Sequence, residues 1–78
     1  MKLPTQVSVR AAGMRSVINT VEEAIEMIDR RLPSELARLP RWTFARALLV
    51  EAIKTQKSRD LNVAVRQFQQ ALRNEKWA

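Results

Sequence analysis

Three carboxylates, Glu22, Glu26 and Asp29, stand at i, i+4 and i+7, a spacing that on a helix sets them along one face where they could hold a hard cation such as magnesium. A simpler account covers the same residues. Glu22, Glu23 and Glu26 come early and Arg30 and Arg31 late, an order that complements a helix dipole without any metal. Nothing else completes a catalytic set. The 78 residues include no Cys, His or Tyr. The usual nucleophile and base pairs, the usual ligands of zinc, copper and haem, and disulfides are therefore excluded. A single Gly leaves no room for a glycine-rich phosphate loop. The expectation is a non-enzyme with no cofactor and no metal.

The basic residues have more shape. The formal charge is +6, from 14 Lys and Arg against 8 Asp and Glu, and residues 32 to 78 carry nine of the cations and four of the acids. Arg59, Arg66 and Arg73 recur every seven residues. On a helix they fall within about 40° of one another, with Asn62, Gln69 and Gln70 beside them. Arg46, Lys54 and Lys57 form a second line, with Val50 between them. Such ridges can neutralise phosphates, and Arg with Asn or Gln are side chains that read base edges. A polar back is also what any amphipathic helix has, and a basic surplus keeps a small protein in solution. Nucleic acid is thus one candidate partner.

Phe44 and Val63 project about 200° from the apolar stripes of their helices, and Trp77 lies just beyond the last helix. Scattered exposed apolar residues are ordinary. Together these three could instead form a patch that buries itself in a second copy, and a symmetric dimer is the commonest oligomer. A homodimer or a protein partner is the other candidate.

The elements that must position these residues are legible from period and punctuation. Trp42, Ala45, Leu48, Leu49, Ala52 and Ile53 fall within an arc of roughly 140°, the stripe of a core helix running from about Pro40 to Lys57. A last helix continues to about Asn74 on Leu61, Ala64, Val65, Phe68, Ala71 and Leu72, with Ser58 and Asp60 as candidate caps before it. At the other end of the chain, Gln6-Val7-Ser8-Val9-Arg10 alternates like a half-buried strand, and Gly13 can supply a tight reversal. Arg15 to Ile18 would return as the second strand. Thr20 and Glu23 form a capping box that opens a helix with the stripe Val21, Ala24, Ile25, Ile28 and Leu32, ended by Pro33. Between Pro33 and Pro40 a connection with a short helical turn should pin Leu36 and Leu39 to the core.

Read in this order, Val7-Ser8-Val9, the turn, Val17 to Ala24, Arg31-Leu32-Pro33, Glu51-Ala52-Ile53 and the helix bearing Ala64, Phe68 and Ala71 give a chain that resembles the small bacterial domain-of-unknown-function 982 family. The resemblance covers most of the chain, rests on fold-type residues, and implies a hairpin followed by helices with no known activity. Leu32 stands where that family usually shows Trp.

The predicted fold is a single α+β domain spanning residues 1 to 78, an N-terminal two-stranded β-hairpin, roughly Gln6 to Ile18, packed on three α-helices. Its predicted core is Val7, Val9, Ile18, Ala24, Ile25, Ile28, Leu48, Leu49, Ile53, Leu61, Phe68 and Leu72. The rival architecture is strand-helix-helix, in which one strand pairs across a dimer. Two functions fit the surface residues. The leading one is a non-catalytic, self-associating protein-interaction module using Phe44, Val63 and Trp77. The alternative is nucleic-acid binding through Arg46, Lys54, Lys57, Arg59, Arg66 and Arg73. Only short apolar runs occur and the N-terminus lacks a secretory pattern, so no membrane partner and a cytoplasmic location are expected.

Overall fold

The alternation at Val7 and Val9 becomes a strand that buries both. In the computed structural model, which describes residues 1–11 and 14–77, β1 (Lys2–Ala11) pairs antiparallel with β2 (Met14–Thr20). Val7 faces Ile18, Ser8 faces Val17, Val9 faces Ser16 and Arg10 faces Arg15. The turn expected at Gly13 lies outside the described residues. The ribbon is longer than the expected span of Gln6 to Ile18, because β1 begins at Lys2. Its early part is irregular, the register slipping between Lys2 and Val7. Pro4 sits within that slipped stretch, where a residue without an N–H disturbs no regular ladder. With β1 paired to its own chain, the strand-helix-helix rival is excluded.

Thr20 caps α1 (Val21–Glu26) as expected, while the return bond of Glu23 reaches the Asn19 N–H, one residue before the cap, rather than the Thr20 N–H. The Glu23 N–H donates to Thr20 Oγ1 at 3.1 Å, and Glu23 Oε1 accepts from the Asn19 N–H at 3.2 Å. A π-helical turn, Met27–Arg31, continues the helix and places Met27 in the core. Leu32 is then extended, as the residue before Pro33 must be. The short helix α2 (Ser34–Ala37) leads to α3 (Pro40–Thr55), and α4 (Ser58–Asn74) follows after two residues.

Between those two long helices the chain differs from expectation. Gln56 takes the left-handed conformation, φ 59°, and its N–H donates to the Ala52 carbonyl at 2.9 Å, so α3 stops at Thr55 rather than Lys57. Ser58 and Asp60 do not cap α4, which already begins at Ser58. The Asp60 carboxylate instead accepts a hydrogen bond from Thr55 Oγ1, tying the two helix ends together.

One core joins the layers. Val7, Val9 and Ile18 from the hairpin meet Val21, Ala24 and Ile28 of the first helix, Trp42, Leu49 and Ala52 of α3, and Leu61, Ala64, Phe68 and Leu72 of α4. Three predicted core residues, Ile25, Leu48 and Ile53, are only half-buried. On α3 the buried line runs through Trp42, Ala45, Leu49 and Ala52, and Leu48 and Ile53 flank its centre by about 60° to 80°. Leu36 and Leu39 pack against the core as expected.

Residues 75 to 77 are fixed by a helix-ending motif that needs no glycine. Lys76 is left-handed at φ 62°, its N–H donates to the Arg73 carbonyl at 3.0 Å, and the Trp77 N–H returns to the Leu72 carbonyl at 2.8 Å. The Trp77 carbonyl then accepts from the Arg10 N–H at 2.7 Å.

Candidate nucleic-acid interface

The charged surface sorts itself by which cations have found an acid. Among the described residues the ion pairs join the Met1 α-amino group to Glu22, Arg30 to Glu26, Arg41 to Glu75 and Arg46 to Asp29. Every member of the acidic line Glu22, Glu26 and Asp29 is therefore matched to a cation. The α-amino group hydrogen-bonded to Glu22 holds that carboxyl below its ordinary range, and the Arg46 guanidinium does the same for Asp29. No cluster of three potential metal ligands occurs among the described residues.

Arg46 belongs to the predicted basic line, but the structure draws it elsewhere. Its Nε and Nη2 donate to the two oxygens of Asp29 at 2.7 and 2.9 Å, a bidentate clasp between α3 and the π-helical turn. The pairing raises the Arg46 pKa in turn. This guanidinium has its carboxylate already.

The other cations of the prediction remain open. Arg59, Arg66 and Arg73 are exposed along α4, and none enters an ion pair among the described residues. Their positions follow from the helix itself. Leu61, Ala64, Val65, Phe68, Ala71 and Leu72 face the core, and the heptad spacing of the arginines puts them on the opposite side, Arg59 and Arg73 about 21 Å apart along the axis. Asp60 is the one acid within α4, and it is hydrogen-bonded to Thr55. Asn62 and Gln70 are exposed beside the ridge and Gln69 is half-buried. Lys54 and Lys57 are exposed where α3 hands over to α4, close in sequence to Arg59, with Glu51 the nearest acid along α3.

The three apolar candidates do not share one environment. Phe44 is 53% exposed and Val63 45%, each on the outward side of its helix. Trp77 instead packs against the core, its ring 6.2 Å from that of Trp42. Val17, at 45% exposed, is a further outward apolar residue that strand alternation on β2 could have revealed.

An open groove of roughly 530 Å³ runs between β2 and the first helix. Its polar rim is largely self-satisfied, Arg31 donating to Ser16 Oγ at 2.8 Å and Arg30 pairing with Glu26. Among the described residues no helix is long and apolar enough to cross a membrane. Comparison of the chain with protein-family models, with curated proteins and with solved structures finds no match.

Proposed function

We propose that this chain is a non-catalytic, cytoplasmic nucleic-acid-binding protein whose main contact is the outer face of α4 with the adjoining end of α3. One observation carries the reading. The ion pairs of the molecule use the Met1 α-amino group, Arg30, Arg41 and Arg46, and leave every cation of α4 without an acidic partner among the described residues. Arginines spaced along about 21 Å of exposed helix match the polyanionic backbone, which carries one charge per about 1.7 Å of duplex axis.

The test is quantitative. If Lys54, Lys57, Arg59, Arg66 and Arg73 each neutralise a phosphate, the logarithm of affinity falls with the logarithm of salt at a slope of about −4.5. Affinity then drops roughly 500-fold between about 50 and 200 mM salt. Arg66→Ala should weaken binding, flatten the slope by about one unit and leave the circular dichroism spectrum unchanged, because the residue lies outside the core. A fluorescence-anisotropy titration on mixed DNA and RNA measures both. No binding at about 50 μM protein and low salt overturns the reading, since even non-specific complexes have dissociation constants of about 10⁻⁴ to 10⁻⁶ M.

Self-association is the second reading, carried by the exposure of Phe44 and Val63 on the neighbouring helices α3 and α4. Light scattering at micromolar concentration that reports a monomer removes it.

A further inference from the structure

The outer face of the hairpin holds a pairing that the isolated protein does not explain. Val7, Val9 and Ile18 point to the core, so strand alternation puts Gln6, Ser8, Arg10, Arg15, Val17 and Asn19 on the opposite, exposed side. The register sets Arg10 directly across from Arg15. Like charges in that relation repel and weaken a ribbon. Among the described residues no acid pairs with either. Residues 2 to 20 contain Lys2, Arg10 and Arg15 and no Asp or Glu, and none of the three enters an ion pair among the described residues.

We propose that this face is a second binding site, for duplex DNA, and that the ribbon enters the major groove with Arg10 and Arg15 leading. The proposal rests on the reading of this chain as a nucleic-acid-binding protein and adds to the α4 contact a separate one and a class of duplex. Two features of the ribbon support it beyond charge. Its strands lie about 4.8 Å apart, and a two-stranded ribbon with its side chains fits the B-form major groove, about 12 Å wide. The face also combines Arg, Gln and Asn, which can bond base edges, with Val17 opposite Ser8, an apolar side chain suited to a thymine methyl group. The major groove of A-form RNA is too deep and narrow for such a ribbon, so RNA duplex is not its ligand. The inner faces of the hairpin and of α4 belong to the same core, and their outer faces therefore look away from each other's side of the molecule. Each contact can be removed without the other.

The experiment uses the full chain, the double variant Arg10→Ala/Arg15→Ala and the triple variant Arg59→Ala/Arg66→Ala/Arg73→Ala. Each is titrated by fluorescence anisotropy against a DNA duplex and an RNA duplex of the same mixed sequence. A thermal melt by circular dichroism accompanies each, and the hairpin variant should melt no lower than the wild type because a repulsive pair is gone. The expected result is that the hairpin variant binds DNA at least about tenfold more weakly, while its affinity for RNA changes less than about twofold. The proposal is overturned if DNA affinity stays within about twofold while the triple variant loses binding, an outcome that leaves the α4 reading standing. Equal loss on DNA and RNA also overturns it, since that is phosphate contact without the groove. If only the hairpin variant loses DNA binding, the proposal holds and the α4 reading fails. If the wild type binds neither duplex, both fail.

Discussion

Trp42 is the residue whose replacement should report most directly on how the end of the chain is held. Its side chain is fully buried, its ring meets Phe68 edge-on at 6.2 Å, and its Nε1–H donates to Glu75 Oε2 at 3.0 Å. The Glu75 side chain is only 14% exposed and also takes Arg41 at 3.4 Å, so this hydrogen bond is largely shielded from water. Trp42→Phe keeps an aromatic ring against Phe68 but removes the donor and the second ring. The lost volume, about 40 Å³ at about 24 cal/mol per Å³, costs about 1 kcal/mol. The charge-assisted hydrogen bond adds about 1.5 kcal/mol. A total of about 2.5 kcal/mol fits within the stability of a small domain, about 0.05 to 0.15 kcal/mol per residue, so the variant should still fold. With a urea m-value of about 1 kcal/mol/M, the midpoint should fall by about 2.5 M. Trp77 remains as the fluorescent probe. A double-mutant cycle with Glu75→Ala isolates the pair, and a coupling of about 1 kcal/mol or more is expected. Coupling below about 0.3 kcal/mol would refute the assignment of Glu75 as the stabilising hydrogen-bond partner of Trp42.

Two further outcomes are expected. Gln56→Gly relieves a left-handed non-glycine residue at the end of α3 but gives up the Gln56 Nε2 bond to the Ile53 carbonyl and frees the unfolded chain. The balance should be a gain of about 0.5 kcal/mol, seen as a melting temperature about 2 to 4 °C higher; no rise would mean that the left-handed turn carries no strain. Asp29 and Glu22 have carboxyl pKa values lowered in the folded state, the first mainly by its hydrogen bond from Arg46 and the second by that from the α-amino group. Their contribution is therefore present above the unfolded carboxylate pKa of about 4 and is lost as pH falls through the lower folded value. Both pairs are partly exposed, so each is worth at most about 1 kcal/mol. Asp29→Asn should accordingly lose less stability than the wild type between pH of about 6 and 3 in thermal melts, and an equal loss would contradict the pairing.

What could be read from the sequence was what depends on one element at a time. The valine alternation, the Thr20 cap and the stripe of α4 each use a short range of chain, and α4's arginine ridge follows from its period alone. Features that need two elements were hidden. Arg46 looked free because Asp29 lies 17 residues away and meets it only when α3 packs beside the π-helical turn. Trp77 looked like an outlying apolar residue because the turn that folds it back uses Lys76 where glycine is the usual signal. The start of β1 at Lys2 carries no alternation signal, and Pro4 fits there because the register slips between Lys2 and Val7. The Arg10 and Arg15 pair needed the register itself, since a shift of one residue would separate them.

The bond from the Arg10 N–H to the Trp77 carbonyl also covers part of the exposed border of the hairpin. A two-stranded ribbon leaves a row of unpaired backbone groups along each border, and such a border is a template for any other extended chain. At Arg10 the border of β1 is already occupied, by a carbonyl held in place by the turn at Lys76 and by the ring of Trp77 against Trp42. The turn at Lys76 and Trp77 thus doubles as a plug. Loss of Trp77 would do more than remove apolar packing: it would reopen a stretch of backbone beside the hairpin and convert a folding defect into an aggregation hazard.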